Sequence, residues 1–308
     1  MKANITTLFL LITILVSCNR SGNQNKTLPA NTGNQKEIIL VIEDKLWEGK
    51  KGEILREIFE KEIAGLPQSE KLFELKQINS KEFSRISLFR THKNIMFVSS
   101  DVKDSYSKDK WANGQTVFYL HSDSKEIDFI KSCNKTCSFL NRKELEEIKN
   151  SYEEGHNKDA RLDIKEQFGF ELFLPTEYAV SLKKEGLFIA DFHSFNEKED
   201  LLKYIIVYEF EPTDYDLKAE IISRTDSILK QYILGSIKDS YVQIDKRFSI
   251  VKDNEIYRGF WILKNEFMGG PIIIRSRFIE DKVVVSLGIV FNPNENKRDF
   301  VRTFEAIL

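Results

Sequence analysis

The chain has 308 residues, 46 basic and 48 acidic, for a formal net charge of −2. Such a balance gives no long-range pull on nucleic acid or on an anionic bilayer, so nucleic acid is not an expected partner. Hydrophobic residues make up 41% and phenylalanine alone fills 23 positions, enough apolar material for one large or two ordinary domains.

The chain opens with Met1 and Lys2, an apolar run over residues 5–16, and the small residue Ser17 ahead of Cys18. That is the layout of a secretion signal, and the run is too short for a comfortable membrane span. Leu15-Val16-Ser17-Cys18 resembles the bacterial lipobox. The resemblance implies that residues 1–17 are a lipoprotein signal peptide and that Cys18 is the point of lipid attachment. Acyl chains contribute about 0.8 kcal/mol per buried methylene, so the expected first partner is a membrane reached through the lipid anchor. Residues 18–35, made largely of Asn, Gly, Ser, Gln, Thr and Pro, read as a flexible tether with a typical reach of roughly 20 to 25 Å. Asn19 is not the aspartate that favours inner-membrane retention in enteric lipoproteins, and no acidic cluster follows it. The expected location is therefore the outer membrane, facing the periplasm.

Residues 36–155 alternate strand and helix patterns. "EIILVIED" is an apolar run of strand length, and "GEILREIFEKEIAG" carries Ile54, Leu55, Ile58, Phe59 and Ile63 in a helical rhythm that Gly65-Leu66-Pro67 stops. "KLFELKQI" alternates as a strand, "SKEFSRISLF" is a short helix, and "KNIMFVSS" and "TVFYLHS" are two further strands. "SKEIDFIKSC" predicts a helix, and Asn141 with Glu144 three residues on predicts the capped start of another, ending near Tyr152. The alternation argues for an N-terminal layered α/β domain. Cys133 and Cys137 lie in these helices, where an oxidising compartment allows a small disulfide between them. His92, His121, His156 and His193 show no ligand spacing, so neither a metal nor another cofactor is expected. The hydrophilic stretch "SYEEGHNKDARLDIKEQFG" reads as the bridge to the second domain.

Residues 156–308 change character. "FELFLP", "YAVSLKKEGLFIADFHS" and "LLKYIIVYEFEP" read as strands, followed by a helix with Leu217, Ile221, Ile228, Leu229 and Tyr232 along one stripe. "SYVQID", "EIYRGFWILK", "PIIIRSRFI" and "KVVVSLGIVF" are further strands, and "KRDFVRTFEAIL" is a last helix. Residues 283–291 are apolar at both odd and even positions, as expected of a mostly antiparallel sheet flanked by helices on both faces. The fold class is therefore α/β, in the α+β sense, with two domains. The element order from "FLPTEY" onward resembles the sandwich shared by the PsbP and Mog1 families, which implies partner binding and not catalysis.

"RGFWILKNEFMGGPIIIRSRF", together with "GLPQSEKLF", "THKNIMFV", "SRTDSILKQYILGS", "DSY" and "NKRDFVRTFEAIL", resembles a family of Bacteroidota lipoproteins catalogued as a domain of unknown function, number 4837, over the whole mature chain. The resemblance directs attention to Trp47, Pro67, His92, Arg224, Asp226, Tyr241, Arg258, Trp261, Met268, Gly269, Gly270, Pro271, Arg298 and Glu305. It implies no activity.

Met268-Gly269-Gly270-Pro271 reads as a connection between strands, where two glycines permit positive φ or close backbone approach. It lacks the pattern of a phosphate loop. Arg275 and Arg277 share one face of a strand, where with Arg258 they either receive a carboxylate or phosphate or sit in ion pairs. Glu220 with Arg224 and Asp226 with Lys230 are acid-before-base pairs at helical spacing, each contributing about 0.3 to 0.5 kcal/mol, so surface pairing is expected for Asp226. No nucleophile elbow or metalloprotease helix motif occurs. The expectation is a lipoprotein that binds or scaffolds an envelope protein or small ligand, through a surface built from Arg258, Trp261, Met268, Gly269, Gly270, Arg275 and Arg277. The alternative is a hydrolase or transferase of an envelope polymer whose site forms only in three dimensions.

Overall fold

A computed structural model describes residues 27–196, 199–213, 216–253, 255–293 and 295–308. The expected signal peptide, Cys18 and the first part of the tether lie outside the described residues. Among the described residues no helix is long and apolar enough to cross a membrane. Residues 28–35 are not a free tether but lie against the first domain. Asn31 Nδ2 donates to Asn113 O at 2.7 Å, Asn113 Nδ2 donates to Leu28 O at 2.8 Å, and Thr32 forms a bridge with His92. Their polar side chains, which read as solvated, are spent on these hydrogen bonds.

The first domain is built on a five-stranded sheet of β1 (Glu37–Ile42), β2 (Glu74–Ile78), β3 (Asn94–Ser99), β4 (Ser105–Lys108) and β5 (Thr116–His121), in the order β2-β1-β3-β5-β4. All pair in parallel except β4, which runs antiparallel along the β5 edge. β4, with the sequence Ser-Tyr-Ser-Lys, has no apolar run to announce it. Both faces of the sheet are covered, which is why β1 is apolar at every position after Glu37. Ile38, Leu40 and Ile42 pack with Phe59, Phe73, Phe118 and Phe129 on one side, and Ile39 and Val41 pack with Phe83, Ile95 and Val117 on the other. Helices α1 (Asp44–Glu48), α2 (Lys50–Phe59), α3 (Ser80–Arg85) and α4 (Glu126–Glu154) complete this domain.

α4 is one helix of 29 residues, about 43 Å long at 1.5 Å per residue, where the sequence predicts two. Asn141 lies within it and caps nothing, and Glu144 is buried. The expected bridge is likewise helical: residues 151–154 finish α4, and α5 (Lys158–Phe168) follows after a short turn, with Asn157 Oδ1 accepting from Ala160 N at 3.0 Å. "FELFLP" is no strand. Its Leu172 and Leu174 are buried beside Ala160, Ile164 and Phe168 of α5, so the alternation that reads as a strand is filled by helix packing.

The second domain carries an antiparallel sheet of β6 (Ala179–Lys184), β7 (Leu187–Asn196), β8 (Glu199–Phe210), β9 (Val242–Ile244), β10 (Val251–Asp253), β11 (Ile256–Leu263), β12 (Gly269–Ile279) and β13 (Lys282–Phe291). Its order is β10-β11-β12-β13-β8-β7-β6, with β9 paired to β11. α6 (Leu217–Tyr232) covers one face through Ile221 and Leu229. α5 and α7 (Arg298–Ile307) cover the other through Ile164, Phe168, Val301 and Phe304. The expected two-domain α/β class, with a helix-flanked antiparallel sheet in the second half, is what the structure shows.

Candidate functional site: a cleft between the domains

α7 is amphipathic in an unusual sense, because its second stripe is charged and buried. Arg298, Arg302 and Glu305 are 3%, 3% and 2% exposed, and their i, i+4, i+7 spacing puts them on one face. That face meets the first domain. Glu70 accepts from the Lys297 and Arg298 amides at 2.7 and 3.0 Å, satisfying donors that a helix start leaves free. Arg298 donates to Leu72 O through Nε at 3.1 Å and Nη2 at 2.6 Å, and its Nη2 lies 2.8 Å from Glu144 Oε1. Arg302 reaches Glu144 Oε2 through Nε at 3.1 Å and Nη2 at 2.9 Å, and Asn141 Oδ1 at 2.7 Å. Its Nη1 donates to Glu305 Oε2 at 2.5 Å. Arg258 on β11 holds the other oxygen of Glu305, with Nε at 2.8 Å and Nη2 at 2.7 Å. Three guanidinium groups thus share two carboxylates, Glu144 and Glu305, while the Glu70 carboxylate is satisfied by backbone amides, and this pairing is what allows these charges to leave water.

Over one end of this network lies a cleft of about 910 Å³, walled by residues 61–64 and α4 of the first domain and by β10, β11, β12 and α7 of the second. Four cationic side chains line it, Lys61, Arg258, Arg275 and Arg302, against the three acids Glu62, Glu255 and Glu305; Lys252 borders it from β10 with its Nζ over the Tyr257 ring. Gly65 shapes the rim. Its φ is +82°, and a Cβ there would stand 2.8 Å from Arg258 Cβ, so only glycine lets the first-domain loop approach β11 this closely.

The seven residues expected to form one recognition surface are not brought together. Arg258 and Arg275 face the cleft. Arg277, on the same strand face, is covered by α7: it donates to Leu308 O and, at 3.4 Å, to Ser286 Oγ, and lies 4.1 Å over the Phe170 ring. Burial and the neighbouring Arg275 pull its pKa down to about 10. Cations at the C-terminal end of a helix are favourably placed, and Arg277 serves there as a fastening. Trp261 points to the opposite sheet face, 1% exposed, with Nε1 donating to Val290 O at 3.2 Å. Met268 is half-buried against the core on that face. Gly269 and Gly270 belong to β12 and are not the turn, whose positive φ falls on Asn265. They permit close approach: a Cβ would stand 2.8 Å from Trp261 O at the first and 2.1 Å from Val290 O at the second.

Other expectations are also revised. Asp226 is no surface pair: it is buried, with Oδ2 accepting from Lys230 at 2.7 Å and Oδ1 accepting from Ile244 N at 2.8 Å, which ties α6 to β9. Arg224 with Glu220 is the surface pair foreseen, at 2.8 Å. His92 is buried, its Nδ1 beside the backbone of Asn94. Cys133 and Cys137 form no disulfide. They are buried free thiols one turn apart on α4, packed with Phe59 and Phe129 as small apolar side chains, and burial pushes the Cys133 pKa up to about 12. Among the described residues no cluster of His, Cys, Asp or Glu is arranged to hold a metal ion. Sequence reading missed Glu70, Glu144 and Arg302. The available signal was the charged stripe at positions 298, 302 and 305 of an otherwise apolar helix.

Comparison with known families separates the two halves of this assembly. Residues 156–308 match the family described as Domain of unknown function (DUF4837). Residues 31–153 match a second family, Domain of unknown function (DUF8532). The resemblance read over the whole mature chain is thus divided between two families, and neither description carries an activity. The chain matches none of the curated proteins. Glu70, Asn141 and Glu144 come from the DUF8532 half, and Arg258, Arg298, Arg302 and Glu305 from the DUF4837 half, so the cleft belongs to neither family alone.

Proposed function

We propose that this protein is a lipid-anchored, periplasm-facing binding protein of the outer membrane that takes its ligand or partner segment in the cleft between the two domains. The anchor rests on the lipobox-like sequence around Cys18. The binding role rests on the cleft's construction. Its volume lies within the roughly 300–1,000 Å³ of ligand sites, and its floor is held by a fully paired buried network. The observation that favours binding over hydrolysis or group transfer is the state of Glu305. Both its oxygens are engaged, by Arg258 and Arg302, and among the described residues no histidine lines the cleft, so the buried carboxylate of the deep wall is already committed to ion pairs.

Two measurements test this reading. Cys18→Ala should abolish fatty-acid labelling and release the protein from the membrane fraction; continued labelling of the variant refutes the anchor. A photo-crosslinking residue placed at Lys61 should capture an adduct in the native envelope that the same residue at Lys282, outside the cleft lining, does not. Equal capture at both positions refutes the cleft as the binding site.

A further inference from the structure

We infer that the cleft holds an anion site centred on Arg275, built to receive one carboxylate or phosphate group carried on a partly apolar body. This inference rests on the cleft being the binding site and names the chemistry it selects. The cleft's cations fall into two sets. Arg258 and Arg302 are consumed by Glu305 and Glu144. Arg275 and Lys61 have no ion-pair partner among the described residues.

Arg275 is the telling member. Its Nη2 donates to a neutral acceptor, Glu305 O, at 3.0 Å, and its buried Nε has no hydrogen-bond partner among the described residues. A guanidinium drawn from water with no carboxylate bonded to it is costly, and desolvation lowers its pKa against the opposing pull of Glu255 and Glu305. Neither acid's carboxylate is in hydrogen-bond contact with it: both Glu305 side-chain oxygens are already held, and Glu255 forms no ion pair with it among the described residues. A planar fork with open donors matches a carboxylate or phosphate in two-point contact.

The strand register explains the site's placement. Ile256 lies opposite Arg275 and Ile273 opposite Arg258, so both arginines stand on one face of the sheet, whereas Lys252, opposite Tyr257, lies on the other face with its Nζ 5.3 Å from the centre of that ring. Lys61 arrives from the other domain. Glu62 and Glu255, which also line the cleft, disfavour a polyanion and favour a ligand with a single charged group. Ile63, Ala64 and Ile256 offer apolar contact to its body.

Calorimetric titration of the full chain in detergent tests the assignment, with butyrate and butyl phosphate as the two anionic probes and butylamine as the cationic control. At least one anion should bind saturably at one per chain, while butylamine should not. Arg275→Gln should weaken that binding by about tenfold or more, the loss of a two-point charged contact. Lys61→Gln, at an exposed position, should weaken it several-fold without disturbing the fold, and Lys282→Gln should leave it unchanged. Preference for butyrate or for butyl phosphate identifies which anion the site is cut for. Failure of both anions to bind, or binding unaffected in folded Arg275→Gln, overturns the inference. If Arg275→Gln does not fold, Lys61→Gln decides, and undiminished binding there overturns it equally. Should both anions fail while crosslinking from Lys61 still captures an adduct, the anion site falls and the cleft's binding role stands.

Discussion

Replacing Arg302 with methionine keeps the aliphatic stem and removes the charge from the centre of the interdomain network. The wild-type guanidinium engages Glu144 Oε2, Asn141 Oδ1 and Glu305 Oε2 from a position 3% exposed. Breaking a buried ion pair by removing one partner costs about 3–5 kcal/mol, because the other charge is left uncompensated. Here Glu144 keeps Arg298 and Glu305 keeps Arg258, so the loss should fall near the lower end, about 3 kcal/mol. Against the roughly 5–15 kcal/mol typical of whole proteins that is a large fraction. Urea unfolding followed by circular dichroism and by tryptophan fluorescence should show an earlier midpoint. The two probes should also separate, because the domains lose the contact that makes them unfold together. A double-mutant cycle with Glu144→Gln should give a coupling of about 1–3 kcal/mol. A folded Arg302→Met protein within about 0.5 kcal/mol of wild type, the range of ordinary surface changes, would refute the reasoning.

Two further outcomes are expected. Gly65→Ala places a methyl group against Arg258 at a positive φ, so it should cost about 1–3 kcal/mol and show as a lowered melting temperature; an unchanged melt would mean the loop is free to move away. Iodoacetamide at pH 8 should leave the peptide containing Cys133 and Cys137 unmodified in folded protein and alkylate both thiols in urea without reductant, since burial pushes the Cys133 pKa up to about 12. Resistance in urea would instead reveal a disulfide.

The layering was legible because it depends on local apolar patterning. Residues 38–42 are apolar without a break and 283–290 are broken only by Ser286 and Gly288, and both runs are buried on both sheet faces, as their sequence demands. The faces of β12 were legible too: Arg275 and Arg277 do share a side. Hidden from sequence was that α7 lies over that side, since nothing near residue 275 encodes a helix that begins at 298. The same blindness misassigned Asn141 and Glu144. A polar residue followed by Glu three places later is the signature of a helix start, yet here both answer Arg302, 161 and 158 residues away, and the long-range contacts override the local rule. Asp226 was half legible. Its Lys230 partner follows from helical spacing, whereas the use of its other oxygen by the Ile244 amide depends on where β9 comes to lie.

The distance between Glu144 and Arg302 along the chain also has a meaning in time. At synthesis rates of about 5–20 residues per second, the 158 residues that separate them take roughly 8 to 30 s to make. During that interval the first sheet and α4 can collapse, but Glu70 and Glu144 wait in an unfilled slot whose arginines do not yet exist. A nascent chain released before residue 302 would present those carboxylates to solvent or to a chaperone, however well its first domain had folded. Completion of the cleft therefore doubles as a proofreading step: only a molecule translated through α7 can close its two halves into one body.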